Sequence, residues 1–322
     1  MDDRPPSADR PGGVPSEPVV AGAETGRKER PLPLRQMGIG ELIDAAIKLY
    51  RSEWKVLLGI VAFVLVPLTF LQAFLTRTLP AGFTDQPGFV APQAAQTAFI
   101  ASGILSVIQF LFIQPFLTAA VARAAANVYL GEPVGVRPTY RFALTKVHSI
   151  LWISLLTFLT IALILTALIL PAVVVIAAGA EGGGAVALVV LLSLAALALV
   201  IHVGVRLTFA PPVLVIEGLK GTKALGRAWR LTKRQFWRLF GTLLVTFLMA
   251  GIIASVLAIP GNLIGDALGP RGWPIRALGD SLAAVLTTPF TTIIAVLLYF
   301  DLRIRKEAFD LEVMAQELSP GP

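Results

Sequence analysis

The chain has 322 residues, 56% of them hydrophobic and 15% charged, with a mean hydropathy of +0.77. Ordinary soluble domains run at roughly 45–50% apolar and about 25% charged, and any folded protein leaves much of its surface exposed. A soluble enzyme, a disordered chain and a nucleic-acid-binding domain are excluded as the whole molecule; an integral membrane protein remains.

Lys and Arg number 27 against 20 Asp and Glu, a formal net charge of +7. In a membrane protein such an excess sits in cytoplasmic loops and meets anionic lipid headgroups. A nucleic-acid partner would need a soluble basic domain, and none is visible. There is no Cys, which removes disulfides, thiolate catalysis and Cys-based metal sites. No secretory leader is expected, because the first long apolar run begins only at Val56.

Residues 1–36 hold seven prolines and four glycines among mixed charges. Such a stretch cannot bury enough apolar area to offset its ordering entropy, so a disordered cytoplasmic tail is expected. Its Arg27-Lys28-Glu29-Arg30 run reads as solvated charge or as a docking motif. A membrane domain is expected over 37–318 and a disordered end over 319–322.

Stretches free of Asp, Glu, Lys and Arg occupy 56–76, 86–122, 149–180, 182–205, 239–265 and 281–300. About 20 apolar residues cross a hydrocarbon core about 30 Å thick, so each stretch supplies one crossing. Pro87, Gly88 and Pro92 delay the second, and the glycines at 182–184 separate the third from the fourth. The expected spans are about 56–76, 98–122, 150–178, 185–205, 239–260 and 281–300. Pro211-Pro212 is expected to end the fourth, and Gly261 and Gly265 around Asn262 to form a turn after the fifth. No period-2 alternation supports a β-barrel. The fold class expected is all-α, a polytopic bundle of six transmembrane helices with amphipathic cytoplasmic surface helices.

With six spans, 24 of the 27 basic residues fall on one side, and only Arg77, Arg271 and Arg276 on the other. The positive-inside rule then places both termini in the cytoplasm, and the plasma membrane is the expected location.

Three segments on the basic side read as amphipathic helices leading into a span. The first carries an apolar stripe of Ile39, Ile43, Ala46, Tyr50 and Trp54, with Asp44 and Lys48 placed for an i,i+4 ion pair. The second, weaker, carries Tyr140, Leu144, Val147 and Leu151. In the third, Leu225, Trp229, Thr232, Phe236 and Phe240 oppose Lys223, Arg227, Arg230, Arg234 and Arg238. A two-residue offset is about 200° of helix, so the two stripes face opposite ways. The apolar face can sink into the acyl boundary while the basic face meets phosphates. Trp54, Trp152 and Trp237 stand at the junctions with the spans, where indole is favoured. Leu-Thr-Lys recurs at 144–146 and 231–233, and the order is compatible with three repeats of surface helix plus hairpin.

Candidate polar sites within the membrane are few. His202 and Arg206 share a helix face near the basic end of the fourth span. Ionisable groups at such depth mark function, but an arginine snorkelling to the interface beside a helix-bonded histidine is the commoner arrangement. Gln109 and Gln114-Pro115 could line a polar path, or bond between helices beside a kink. Glu217 is the one acid among eight basic residues over 206–238, with Lys220 or Arg230 as expected partners and a lid or coupling role as the functional alternative. Asp301 with Arg303 and Arg305 is expected to set the register of the last span at the interface.

The residues Gly40-Glu41-Leu42-Ile43-Asp44-Ala45-Ala46-Ile47-Lys48-Leu49-Tyr50-Arg51, Ala224-Leu225-Gly226-Arg227-Ala228-Trp229-Arg230-Leu231 with Phe236-Trp237-Arg238-Leu239-Phe240-Gly241, and 297–312 carry a resemblance. Over about 34–316 the chain resembles bacterial membrane proteins of the glycerophosphoryl diester phosphodiesterase membrane-domain family. The resemblance implies a multi-pass membrane domain whose own molecular role is poorly defined. The catalytic partner to which some members are fused is a TIM barrel with metal-binding carboxylates and two histidines. Six spans and a tail leave no room for a barrel of about 250 residues, and only His148 and His202 exist. No catalytic, metal or cofactor site is expected, and no Gly-Lys-Ser/Thr phosphate loop is present.

The sequence supports a non-enzymatic membrane module whose basic helices bind anionic phospholipid headgroups or a membrane or cytoplasmic protein partner. A transporter or permease for a small or amphiphilic solute is the alternative, motivated by Pro115, His202, Thr287, Thr288 and Pro289.

Overall fold

Alternating short amphipathic and long apolar stretches produce, in the computed structural model, a chain that is mainly helical over its described residues, with no strand among them. Those residues are 36–77, 93–177, 179 and 182–307. The expected tail up to residue 35, its basic run, the breakers at 87, 88 and 92, and the end at 319–322 lie outside them.

Six helices among these residues are long and apolar enough to cross a membrane: Trp54–Thr76, Ala95–Tyr129, Val147–Val175, Gly183–Glu217, Phe236–Ala267 and Trp273–Glu307. The surface helices α1 (Ile39–Ser52), α5 (Val136–Thr145) and α9 (Thr222–Thr232) lead into α2 (Trp54–Thr76), α6 (Val147–Ala177) and α10 (Phe236–Ala267). Each follows an even number of crossings, so all three lie at one end of the bundle. Asp44 and Lys48 form the i,i+4 pair at 2.8 Å.

The buried face of α1 shares only Ala46 with the expected stripe, that of α9 only Thr232, and that of α5 none of its members. In α1 this face is Leu42, Ala45, Ala46 and Leu49; in α5, Thr139 and Ala143; in α9, Ala224, Ala228, Leu231 and Thr232. Ile39, Trp54, Leu144 and Trp229, all assigned to apolar stripes, are exposed. Alanines within each buried face let a short helix lie close on the bundle, while Leu42, Leu49 and Leu231 fill the contact. Tyr140 is half-buried; its hydroxyl donates to the Ile60 carbonyl, tying α5 to α2, and burial pushes its pKa up.

The second span is not one regular helix. α3 (Gln93–Ile108) passes through a π-helical turn, Gln109–Ile113, into α4 (Gln114–Tyr129), and the Gln114 N–H donates to the Gln109 carbonyl. Pro115 thus falls in a first turn, where its missing N–H costs nothing. The fourth span is broken differently. α7 (Gly183–Leu207) stops at Thr208, and α8 (Ala210–Glu217) starts with Pro211-Pro212 in its first turn. These prolines open a helix rather than close the span, again because a first turn needs no proline N–H.

Gly261 and Gly265 also depart from expectation: they lie within α10, not in a turn. α10 and α11 (Trp273–Glu307) form a close hairpin joined by a 3-10 turn, Gly269–Arg271. A Cβ on Gly261 would come 2.9 Å from the Gly279 Cα, and one on Gly265 would meet the Gly272 carbonyl at 2.8 Å. The Gly-x-x-x-Gly spacing serves the close backbone approach that small residues permit between membrane helices.

α11 is the axis of the bundle, packed against α1, α2, α4 and α10 and continuously buried from Thr292 to Leu302. Tyr129, Phe209, Tyr299 and Phe300 are the largest fully enclosed side chains. α6 and α7 pair mainly with each other, and most of their apolar side chains, such as Leu163 and Leu191, face outward. In hydrocarbon such faces are solvated by lipid, provided every backbone group is bonded within its helix.

Candidate functional site

The end of α11 gathers a dense cluster of charge. Asp301 is fully buried. It accepts from the Met37 N–H at 2.9 Å, from Arg238 Nη1 at 2.6 Å and from Arg305 Nε at 3.0 Å. Arg238 Nη2 and Arg305 Nη2 return to the Met37 carbonyl at 2.7 and 3.1 Å. Backbone from before α1, the start of α10 and the end of α11 are therefore closed into one network, in which a buried carboxylate is compensated by two guanidiniums and an N–H.

A second network adjoins it. Arg227 Nε donates to Glu217 at 2.8 Å, and its Nη1 and Nη2 fork onto Glu307 at 2.6 and 2.7 Å. Tyr299 donates to Glu217 at 2.7 Å, and Arg303 reaches Glu307 at 3.3 Å. The hydrogen bond with Glu307 chiefly, then that with Glu217, holds the Arg227 guanidinium well above its ordinary pKa against the opposing effect of burial. Glu217 thus pairs with Arg227, not with Lys220 or Arg230, because the end of α8 lies beside α9 and α11. Arg303 joins Glu307 rather than Asp301, as the i,i+4 spacing dictates.

The five basic residues assigned to one lipid-facing stripe therefore divide. Arg227 and Arg238 are turned into the protein, each gripping a carboxylate on α11. Lys223, Arg230 and Arg234 are exposed, with no carboxylate partner among the described residues. Arg234 takes the left-handed conformation, φ 66°, at the bend between α9 and α10.

His202 and Arg206 do share a face of α7, and aromatic rings meet them there. The His202 ring lies 4.6 Å from that of Phe236, and the Arg206 guanidinium lies 4.2 Å from the Trp229 ring centre. Buried Arg206 Nε has no hydrogen-bond partner among the described residues, so cation–π attraction is its visible compensation. These contacts pack α7 against the α9–α10 junction.

Gln109 and Gln114 bracket the π-turn. Gln114, with Pro115, Ser154, Thr157, Thr208 and Phe247, lines a half-open cavity of about 510 Å³. The π-turn of the second span and the break in the fourth both border it. Its walls are mainly apolar, with an amide and hydroxyls set among them. No group of three or more His, Asp or Glu among the described residues is placed to hold a metal ion.

Sequence reasoning missed Met37, Tyr299 and Glu307 as members of the charged networks. The Asp301–Arg305 and Arg303–Glu307 spacings signalled local pairs; nothing in the sequence signalled that Met37 and Arg238 would close on the same carboxylate. No curated protein and no solved structure matches the chain. The segment from α7 to near the end of α11 does match a family model, and the resemblance read from the sequence holds there. Residues 185–303 match the membrane domain of glycerophosphoryl diester phosphodiesterase, with no catalytic barrel among the described residues.

Proposed function

We propose that the protein is a non-enzymatic module of the plasma membrane, with both termini cytoplasmic, whose surface helices bind anionic lipid headgroups. One observation carries this reading. On each surface helix one face is buried on the bundle, while large apolar residues off that face, Ile39, Ile47, Leu144 and Trp229, stay uncovered near exposed basic ones. A helix that leaves both kinds of group outside is suited to an acyl boundary beneath phosphates. Trp54, Trp152 and Trp237 are exposed beside the same helices.

The expected contacts are Lys223, Arg230 and Arg234, each contributing about 1 kcal/mol near an anionic surface. Replacing all three with Gln should lower the phosphatidylglycerol retained by the purified full-length protein at least severalfold, without changing its melting temperature. Retention equal to wild type would reject the reading, and loss of a co-purifying protein instead of lipid would favour a protein partner.

The cavity at the two helix breaks favours a second reading, passage of an amphiphile, since interrupted helices frame transport sites and π-turns cluster at functional ones. Filling it by Ser154→Phe should abolish movement of a fluorescent lysophospholipid across proteoliposomes. Unchanged movement, or none with the wild type, discards that reading.

A further inference from the structure

At the end of the bundle opposite the surface helices lies a second polar feature, a cavity of about 490 Å³ between α2 and α11. Its wall includes Gln72, Thr76, Arg77, Trp273, Arg276 and Asp280. Basic side chains are scarce at this end: of the three, Arg77, Arg271 and Arg276, two converge on this one cavity.

The wall is built, not incidental. The Arg77 guanidinium lies 3.7 Å from the Phe74 ring centre, and Phe74 meets Trp273 edge-on at 5.7 Å. Arg276 lays its stem over Gly265, where no larger residue would fit, and is anchored to Asp266 at 2.6 Å. Asp280 has a long contact, 3.4 Å, with the Asn262 amide. Among the described residues Arg77 has no carboxylate partner and Asp280 no cationic one, although both line the same space. Among the described residues that line the cavity or pair with its lining, two guanidiniums are matched by two carboxylates, Asp266 and Asp280, while a separated positive and negative group face the cavity.

A ligand complementary to that arrangement is itself neutral and carries both charges. We infer that this cavity binds a primary ammonium joined to an oxyanion, the oxyanion on Arg77 and Arg276 and the ammonium on Asp280 beside the Trp273 ring. Arginine forks onto oxyanions, a carboxylate accepts ammonium N–H groups, and an indole face attracts a cation. The volume suits a small molecule or a headgroup. Arg77 follows the last turn of α2 and Trp273 opens α11, the depth of an interfacial aromatic belt. The group can come from a phosphatidylethanolamine headgroup or from a soluble phosphodiester of ethanolamine, each a neutral zwitterion.

The inference goes beyond the proposed function and is tested so as not to depend on it. Full-length protein carrying Lys223→Gln, Arg230→Gln and Arg234→Gln is titrated in detergent with phosphatidylethanolamine or phosphatidylglycerol, and bound lipid is counted by native mass spectrometry. Phosphatidylethanolamine should bind more tightly. Arg77→Gln should weaken it about tenfold, the scale of one charge-assisted hydrogen bond. Asp280→Asn should reverse the preference toward phosphatidylglycerol, because it leaves the site net positive. Displacement of lipid by a soluble phosphodiester of ethanolamine supports the inference with the soluble compound as source; lack of displacement supports it with the lipid as source. Equal binding of the two lipids, which needs no variant to observe, overturns the inference, as does unchanged preference in both variants at unchanged melting temperature.

Discussion

Replacing Asp301 with alanine is expected to destabilise the protein by about 3–5 kcal/mol, the cost of breaking a buried ion pair from one side. Arg238 and Arg305 would be left facing each other and the Met37 N–H would lose its acceptor. Asp301→Asn keeps one carbonyl oxygen and should cost less. Lys48→Gln, at the exposed pair with Asp44, should change stability by no more than about 0.5 kcal/mol. Thermal unfolding in one detergent compares the three variants. If Asp301→Ala melts with Lys48→Gln, the network does not hold the bundle together.

The second large effect is steric. Gly265→Leu should cost about 3 kcal/mol, at the upper end for overpacking a fitted contact, because the new Cβ would run into the Arg276 stem and the Gly272 carbonyl. Gly261→Leu meets the Gly279 backbone and should behave similarly. Gly251 lies on the same helix with nothing within 4 Å of an added Cβ. Gly251→Ala should therefore be neutral or stabilising by up to about 1 kcal/mol, as helix propensity predicts. Equal melting of Gly265→Leu and Gly251→Ala would show that α10 and α11 are not held by this contact.

Both effects bear on what was legible in the sequence. The spans were, because crossing a membrane forbids charge over about 20 residues, and that prohibition is local. Surface-helix existence was equally local, since Lys223, Arg227, Arg230 and Arg234 repeat at helical spacing whatever they touch. Which side they face was not. A stripe of Ile39, Ala46 and Trp54 has the period of a buried face, but Leu42, Ala45, Ala46 and Leu49 make the contact with the bundle, so only Ala46 belongs to both. Arg227 and Arg238 look like lipid ligands in one dimension; only the return of α11 brings Glu307 and Asp301 to them. The same holds for Gly261 and Gly265, which punctuate a turn or permit a crossing depending on what passes opposite. The charges of the second cavity were visible as three scattered basic residues, and their convergence was not.

The place of α11 has a consequence for biosynthesis. The helix around which the others pack is the last of these six spans to leave the ribosome, and domains organise in the order they are made. Five spans must wait in the bilayer with their inward faces against lipid or the insertion machinery. Met37, made early, finds Asp301 only 264 residues later. Until then α6 and α7, which depend least on α11, are the hairpin able to settle first, and the arrival of the final span converts a loose set of helices into a bundle in one closing step.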